Sequence, residues 1–464
     1  EEKMSTPAWF SASLGRKTQE SPPPTAPECL FLSDSWSVAL PKLAYGLFCF
    51  YGGLLFFVFG GRYESCSILD KFPRRSRIHL YFLALNFWLW DKPHYRSGTH
   101  QGDMLKNLRN VAVPGTGVPL HLFVYSRILA IFFLLVVYPI LAVIGAVHRF
   151  RTEVPNQASL QMREKVGWLV GLFLEHLLAP EDWFTYWRMN SCLASYHSLL
   201  SGAEGYRFEN KWDFLRDGAA LGIPVSPFLD IDDIVVKDRN EEGGLGIYFF
   251  KNALNGGEWI IQKRLHNADS IKKILPRDAP LSTFRVMTCS SWSAKQGSDA
   301  ASTKASDCVR AMSCVFRAGR AGASTDHSSI LFDVDIKKGR MGRGTTNDHW
   351  YKLGLRNALQ CPWLSFHDQT GVDDVIVAGR PLPGCQEMLK LCTESHYQLL
   401  KDVPLVGWDV AVCGPPDEGQ WLLEVNLSCN FFRGSFDKEA YFDLLDEYLK
   451  VLDPLKHLYK ASKK

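Results

Sequence analysis

Two long apolar runs near the start of the chain dominate its pattern of hydrophobic and polar positions. Residues 43–61 contain no charged side chain, and residues 128–147 contain none either, although Pro139 and Gly145 lie within the second run. About 20 consecutive apolar residues can cross the hydrocarbon core of a bilayer, and membrane helices tolerate Pro and Gly. The pattern therefore predicts two transmembrane helices; the alternative is a buried pair of helices in a soluble protein.

The segment between these runs is basic and aromatic. Arg74, Arg75 and Arg77 lead into HLYFLALNFWLW, which contains Trp88 and ends at Trp90. This stretch is too short to span a bilayer, and its tryptophans suit a position among lipid headgroups. The basic loop favours the cytoplasmic side, whereas two crossings would then place the C-terminal half outside. The orientation stays open.

From about residue 152 the pattern becomes that of an α+β protein. Residues 159–178 repeat apolar positions at helical spacing, and residues 211–221 do the same before Gly222. Residues 289–308, rich in Ser and Ala, indicate a flexible insert. Alternating or β-branched runs predict strands at 233–237, 258–265, 282–288, 312–320, 405–412 and 420–427.

The last two predicted strands form a candidate metal site. Residues two apart share one face of a strand, so Glu424 and Asn426 point the same way. A tight return places Asp409 within about one residue of the position opposite Glu424. Carboxylate and amide oxygens suit Mg²⁺. The alternative is a solvated face on an edge hairpin.

Further upstream, a strand that runs into glycines forms a candidate phosphate site. Lys237 ends the strand, and Gly243, Gly244 and Gly246 follow it. Backbone N–H groups in such a loop can approach phosphate, but the spacing fits neither a P-loop nor a dinucleotide fingerprint, and a plain hairpin turn is the alternative.

Two arginines lie on predicted strands among apolar neighbours. Arg285 and Arg317 are each suited to clamp a phosphate or a carboxylate, or else to form a structural ion pair.

Composition restricts the function classes. The 464 residues are 46% hydrophobic and 22% charged, which is ordinary for a globular protein, and the formal charge of +3 gives no sign of nucleic-acid binding. The 12 cysteines form no Cys-x-x-Cys pair, which argues against a zinc knuckle and suits a reducing compartment.

Taken in order, these motifs resemble the ATP-grasp superfamily, and they are most similar to its sugar-transfer-associated and alpha-L-glutamate-ligase-related branch. The resemblance covers residues 200–435 and rests on NKWDFL, VVKDRNEEGGLG, QKRL, STFRVMT, VFRAGR, HDQTGV, AGRPLPGCQEM and GWDVAV…WLLEVN. It implies an α+β fold in which two α+β subdomains clamp ATP. The expected organisation is a disordered leader at 1–36, a membrane region at 37–151, a helical segment at 152–225 and the ATP-grasp domain at 226–464.

The resemblance also implies roles for single residues. Asp409, Glu424 and Asn426 would hold Mg²⁺, or Mn²⁺ in its place, while Arg285 and Arg317 would hold the transferred phosphoryl group or the substrate carboxylate. The implied ATP-binding residues are Lys211, Lys237, Gly243, Gly244, Gly246, Gln262, Lys263, Leu265 and Asp269.

The implied activity is that of a membrane-anchored, ADP-forming ligase that makes C–N bonds through an acyl phosphate. Its partners would be a small-molecule, peptide-linked or sugar-linked carboxylate, an acceptor nucleophile and the lipid bilayer, without nucleic acid, and the ATP-grasp region would face the cytosol. After the Arg317 strand the branch usually has a paired glycine, whereas this chain has TDHSSILFDVD with His327. Two alternatives stay open: a silent nucleotide-binding module, and an ATP-dependent phosphotransferase.

Overall fold

A computed structural model describes residues 31–32, 36–96, 98–109, 118–240, 245–295, 305–326, 329–346, 366–367, 370, 375–429, 431 and 434–461. The helices are α1 (Trp36–Val58), α2 (Arg74–Leu89), α3 (His100–Leu108), α4 (Arg127–Phe132), α5 (Tyr138–Glu153), α6 (Met162–Leu178), α7 (Trp183–Ser201), α8 (Lys211–Ala220), α9 (Asp269–Lys272), α10 (Ala305–Cys308), α11 (Cys385–Leu400) and α12 (Lys438–Ala461). The strands are β1 (Asp233–Lys237), β2 (Ile247–Lys251), β3 (Thr283–Ser290), β4 (Val309–Ala318), β5 (Ile330–Asp335), β6 (Arg340–Thr346), β7 (Phe366–His367), β8 (Leu405–Cys413) and β9 (Gly419–Asn426). A π-helical turn, Phe133–Val137, joins α4 to α5.

The fold is mixed α+β, as predicted, and its sheets are antiparallel. The large sheet has seven strands in the order β7-β6-β5-β4-β3-β8-β9, and β1 pairs with β2 in a separate two-stranded sheet. The prediction of a regular strand at 258–265 is wrong. That stretch forms isolated bridges instead, between Phe228 and Gln262 and between Asn252 and Trp259, because its neighbour 224–229 runs beside it for only a few residues.

One face of the large sheet is a hydrophobic core. Phe284, Phe316 and Phe332 lie opposite one another on β3, β4 and β5, and Trp408 is fully buried on β8. Helices α8 and α11 pack against this face through side chains such as Phe214 and those of the same core cluster. Since strand side chains alternate, the polar residues between these positions are directed to the opposite face.

The helical region and the end of the sheet share a second core. It includes buried side chains of α1, α2, α6, α7 and α12 as well as Met287 on β3 and Leu405 on β8. Phe31, Leu32 and Trp36 are the described members of the predicted leader; its other residues, 1–30 and 33–35, lie outside the described part of the chain. The predicted insert 289–308 is described only at its ends, at residues 289–295 and 305–308.

Helix α2 does not take the headgroup-level position expected from its tryptophans. Trp90 is 5% exposed, and the indole of Trp88 packs edge-on against Tyr196 and Tyr459 with ring centroids 5.7 and 5.9 Å away. A helix that is apolar on all sides is buried by protein when neighbours are available, and here α1, α7 and α12 surround it.

Among the described residues, two helical stretches are long and apolar enough to cross a membrane. They are Val38–Val58 and Arg127–Glu153, and they differ in environment, because a third of the first apolar window is buried against only 6% of the second. Both stretches therefore agree with the predicted apolar runs, and the second lies almost wholly on the protein surface.

Candidate functional site

The β8–β9 hairpin brings the predicted acidic residues together. Asp409 lies directly opposite Glu424, and Gly407 lies opposite Asn426. The register shifts at a β-bulge between Asp409 and Val410, so Leu423 is an extra residue on β9. The predicted cross-strand pairing of Asp409 and Glu424 is confirmed.

Asp409 is buried and bound by both predicted arginines. Arg285 lies opposite Asp409 on the neighbouring strand β3, and it donates from Nε to Oδ1 at 2.5 Å and from Nη2 to Oδ2 at 3.0 Å. Arg317 on β4 donates from Nη1 to Oδ2 at 3.1 Å. Burial alone would raise the pKa of Asp409, but the two guanidiniums outweigh it and hold this pKa below its ordinary value. The cluster is thus a desolvated carboxylate between two cations.

A further acid completes this cluster. Asp326 accepts a hydrogen bond from Arg317 Nη2 at 3.0 Å and another from the hydroxyl of Thr283. Sequence reasoning noted the stretch that follows β4 only for His327, which lies outside the described residues. The available signal was an acid placed a few residues after a strand arginine, where a returning loop can meet it.

Glu424 lies in a different environment at the rim of the same face. Its Oε2 is 2.6 Å from Nζ of Lys211, and the two side chains are 26% and 63% exposed. Lys211 is held there because α8 begins at this residue: the Asn210 side chain accepts hydrogen bonds from the N–H groups of Trp212 and Asp213 and caps the helix. The structure thus unites two residues that the resemblance had assigned to phosphate and to metal.

The three predicted metal ligands do not fit a cation equally well. Both oxygens of Asp409 already accept from guanidiniums, whereas Glu424 offers partly exposed oxygens and Asn426 lies beside it, with Nδ2 to Oε1 at 3.5 Å. Within the described ranges no cluster of three or more His, Cys, Asp or Glu has metal-binding geometry. Glu424 and Asn426 suit a hard cation, and Asp409 suits the task of holding Arg285 and Arg317 in place.

An apolar wall lies next to the charged residues. Leu265, Ala411 and Cys413 are buried together, with Leu281, Trp421 and the bulged Leu423 packed against them. Small-molecule sites commonly combine apolar and aromatic side chains with a few polar groups, and the partly exposed members of this wall are Leu281, Trp421 and Leu423.

The predicted hinge forms the edge of this wall. The N–H of Lys263 donates to the Pro227 carbonyl at 3.0 Å, its Nζ lies 2.6 Å from Asp417 in the β8–β9 turn, and Gln262 Nε2 is 3.5 Å from the Ser226 carbonyl. Among the described residues, the carbonyl of Lys263 and the N–H of Leu265 have no hydrogen-bond partner. One acceptor and one donor are therefore available at adjacent positions.

The remaining predicted ATP-binding residues lie apart from this cluster or outside the described chain. Lys237 is exposed on β1 opposite Ile247, and Gly246 adopts a left-handed φ of +65° just before β2. Asp269 is exposed at the start of α9 and pairs with Lys272 at 3.1 Å. Gly243 and Gly244 lie outside the described residues, so the choice between a phosphate loop and a plain hairpin turn stays open.

The exit of β9 is anchored by residues that sequence reasoning missed. Arg96, from the segment between the two apolar helices, donates to Glu209 at 2.6 Å and also bonds Ser428. The other oxygen of Glu209 accepts from the N–H of Leu427 at 2.8 Å. No local pattern could reveal this arrangement, because the partners are more than a hundred residues apart in the chain.

Comparison of the chain with family models, with characterised proteins and with solved structures gives no match.

Proposed function

We propose that this protein is a membrane-associated, ATP- and Mg²⁺-dependent ligase of the ATP-grasp superfamily, which joins a carboxylate to an amine or another nucleophile. The observation that supports it best is the row of charges at one end of the large sheet. Lys211 lies 2.6 Å from Glu424, Glu424 is paired across the strands with Asp409, and Asp409 binds both Arg285 and Arg317 at 2.5–3.1 Å.

Each part of this row suits a step of such a reaction. The Lys263 carbonyl and the Leu265 N–H can pair with the donor and acceptor edge of adenine, whose ring would lie on the apolar wall. Lys211 places a cation where the phosphates of ATP would follow, and Mg²⁺ held by Glu424 and Asn426 would neutralise charge on the transferred group. Arg285 and Arg317 are held in place by Asp409, so their positive charges would be positioned near an anionic substrate without reorganisation.

The proposed chemistry has two steps. A carboxylate oxygen attacks the γ-phosphorus of ATP, the bond to the bridging oxygen breaks and ADP leaves with that electron pair. A nucleophile then attacks the carbonyl carbon of the acyl phosphate, loses its proton to solvent and displaces inorganic phosphate. The chain's residues supply positioning and charge for both steps, which is most of what phosphoryl transfer requires.

A second candidate is a nucleotide-binding module without turnover. One observation favours it: Asp409 is fully neutralised by arginines and Glu424 already has a lysine partner. A ligand cation has to displace Lys211 from Glu424 before Glu424 can coordinate it.

The test uses the full-length protein in detergent or lipid with Mg²⁺-ATP and a panel of carboxylates and amines. Carboxylate-dependent ADP release, with a hydroxamate trapped by hydroxylamine, is the expected result. Nucleotide binding without ADP release across the panel supports the module, and a stable phosphorylated product supports a phosphotransferase; either result contradicts the ligase. Absence of nucleotide binding contradicts all three.

A further inference from the structure

The two apolar helical stretches each present a bare hydrophobic face to the outside. On α1 the exposed side chains recur at helical spacing and include Val38, Phe48 and Leu55, and Phe59, just beyond the helix, is 85% exposed. The second stretch, α4–α5, exposes its apolar side chains even more widely. They are Ile128, Leu129, Ile131, Phe132, Val136, Ile140 and Val143. Faces of this extent require a covering partner.

These two faces adjoin each other. The hydroxyl of Tyr51 on α1 donates to the Leu135 carbonyl in the π-helical turn at 3.0 Å, and the rings of Phe50 and Tyr138 are 6.0 Å apart. The two helices thus contact each other, and their exposed apolar side chains are defined here together as the α1/α4–α5 surface.

The chain that follows α1 is bound to the C-terminal helix. The N–H of Tyr63 donates to Asp453 at 3.0 Å, and its hydroxyl donates to Asp446 at 2.6 Å. Tyr81 on α2 bonds the same Asp453 and accepts from Lys456 at 2.6 Å, and all three of these side chains are buried. The first part of the inter-helix segment, 59–126, is therefore on the same side of the molecule as α12.

The later part of that segment is bound to the sheet and to α7. Arg96 pairs with Glu209 at 2.6 Å, and His100 Nδ1 lies 3.1 Å from the hydroxyl of Ser195. Both contacts are at least half buried, so they belong to the folded body rather than to a loose loop.

This arrangement is incompatible with two crossings of a bilayer. A chain that crosses through α1 and returns through α4–α5 places segment 59–126 on one side and residues 154–461 on the other, yet the two are hydrogen-bonded to each other. A single crossing through α4–α5 separates them in the same way.

A single crossing through α1 meets a different obstacle. Segment 66–72 runs back along this helix: the Ile68 carbonyl is 3.5 Å from Cys49 Sγ, and Phe72 stacks on Tyr45 at 5.7 Å. The segment carries Lys71 and the Asp70–Arg77 ion pair at 2.6 Å. Charged groups beside the middle of α1 are costly inside the hydrocarbon.

The charge distribution indicates what covers the surface. Residues 36–165 contain fifteen Lys and Arg against six Asp and Glu, a net of +9, whereas the whole chain carries +3 and the remainder is therefore net negative. The part of the chain that forms the α1/α4–α5 surface is thus strongly basic, and an excess of Lys and Arg favours binding to anionic lipids.

We infer that the α1/α4–α5 surface attaches the protein to one leaflet of an anionic membrane, with both helices lying in the plane of the interface and neither crossing it. This inference rests on the membrane association that forms part of the proposed function. It leaves segment 59–126, the large sheet and α12 together on one side of the bilayer, and it removes the conflict between the basic loop and access to ATP.

The first experiment determines sidedness in sealed membrane vesicles that contain the full chain. Lys71→Cys and Lys338→Cys place single thiols on exposed sites in segment 59–126 and in the β5–β6 turn, with Cys29 and Cys361 replaced by Ser. The ten described native cysteines are all buried and give a low background. A membrane-impermeant maleimide is expected to label both positions from the same side; labelling from opposite sides overturns the inference.

The second experiment measures vesicle flotation of the purified protein. A Phe132→Asp/Ile140→Asp variant is expected to bind phosphatidylserine–phosphatidylcholine vesicles with roughly tenfold lower affinity than the wild type, because an acid in an apolar face opposes insertion. Leu458→Asp is the matched control, because Leu458 is an apolar side chain of α12 that is 66% exposed and does not belong to the α1/α4–α5 surface. The control is expected to float like the wild type. Both of these proteins are expected to bind more weakly to vesicles of pure phosphatidylcholine.

Two outcomes contradict the membrane attachment. In the first, the double variant floats with vesicles as well as the wild type does. In the second, the wild type does not bind vesicles and instead forms dimers, and the double variant does not form them. Nucleotide binding by the double variant separates this result from the ligase proposal, because the substituted side chains lie outside the charged row. Intact nucleotide binding with lost flotation supports the attachment whatever the fate of the ligase proposal.

Discussion

Asp409 and Glu424 are the same kind of group on the same face of one antiparallel pair, but they have opposite surroundings. The Asp409 side chain is 7% exposed and lies between two guanidiniums, whereas Glu424 is about four times as exposed and meets one solvent-exposed lysine. A buried charge that loses its partners is costly, while an exposed pair contributes little. The first acid is therefore expected to maintain the structure of the site, and the second to exchange its partner for a ligand.

The largest expected effect is that of Asp409→Asn on stability. The substitution removes the buried carboxylate that both guanidiniums bind, although Arg317 keeps its pair with Asp326, and it is expected to cost about 3–5 kcal/mol of unfolding free energy. Glu424→Gln is the matched control, and its cost is expected to stay below about 1 kcal/mol. Denaturant unfolding of the two variants measures the difference, and equal costs would contradict the distinction between the two acids.

The pH dependence checks the cause of that loss. Arg285 and Arg317 hold the pKa of Asp409 below its ordinary value despite burial. The contribution of this carboxylate is thus complete above its unfolded pKa of about 3.9 and is lost as the pH falls through the lower folded value. The stability gap between the wild type and Asp409→Asn is expected to close at pH values below about 4; a gap that stays constant there contradicts an electrostatic origin.

The next largest effect is that of Glu424→Gln on turnover. If Glu424 holds the metal that neutralises the transferred group, its loss is expected to lower ATP turnover by roughly a hundredfold or more. The fold is expected to remain, because the lost partner is an exposed lysine. Full carboxylate-dependent ADP release by this variant removes Glu424 from the metal site.

The hairpin itself followed from local pattern. The two strands, the turn between them and the position of Asp409 within about one residue of the site opposite Glu424 were predictable, because side-chain direction along a strand follows its two-residue repeat. The β-bulge next to Asp409 was not predicted. The helices starting at Met162 and Lys211 were predictable for a similar reason, namely apolar spacing followed by a capping signal.

What was not predictable depends on contacts between distant residues. Nothing local shows that Arg285 and Arg317 converge on Asp409, or that Arg96 reaches Glu209 from the far end of the chain. The burial of α2 also depends on distant residues. Its apolar stretch was recognisably too short to span a bilayer, but only the arrangement of α1, α7 and α12 shows that protein covers it, whereas α4–α5 is largely exposed.

A third prediction concerns how tightly the buried acid is covered. A methyl group at Gly407 would lie 2.7 Å from Cβ of Cys429 and 3.3 Å from Cδ of Arg285, so Gly407→Ala has to push the chain after β9 away from the sheet. The expected cost is about 1–3 kcal/mol. Gly52→Ala is the control, because its new methyl group meets only Ile68 at 3.6 Å, an ordinary contact.

Thiol chemistry gives this substitution a second measurement. Burial raises the pKa of Cys429 to about 12, which suppresses its reactivity in the folded protein. Gly407→Ala is expected to accelerate labelling of Cys429 by a thiol reagent, whereas Gly52→Ala is expected to leave it slow. An unchanged labelling rate would contradict the prediction, because it would mean that the methyl group at position 407 fits without displacing Cys429.

The smallest expected effect concerns the exposed Lys211–Glu424 pair. Lys211→Met keeps the length of the side chain and removes its charge, so the proposed role at the nucleotide phosphates predicts a roughly tenfold weaker affinity for ATP, equal to about 1.4 kcal/mol. Stability is expected to change by less than about 1 kcal/mol, since the pair with Glu424 is exposed. Lys338→Met, at an exposed lysine of the β5–β6 turn, controls for loss of surface charge in general.

The double variant Lys211→Met/Glu424→Gln then separates two explanations of that affinity loss. If Lys211 acts on ATP directly, Glu424→Gln does not restore binding to the Lys211→Met protein. If Lys211 matters only because it shields Glu424 from the phosphates, removing the carboxylate charge restores the affinity, and the double variant binds ATP as tightly as the wild type. Calorimetric titration of ATP into the four proteins distinguishes the two, and full restoration would leave Lys211 as a partner of Glu424 with no place in the nucleotide site.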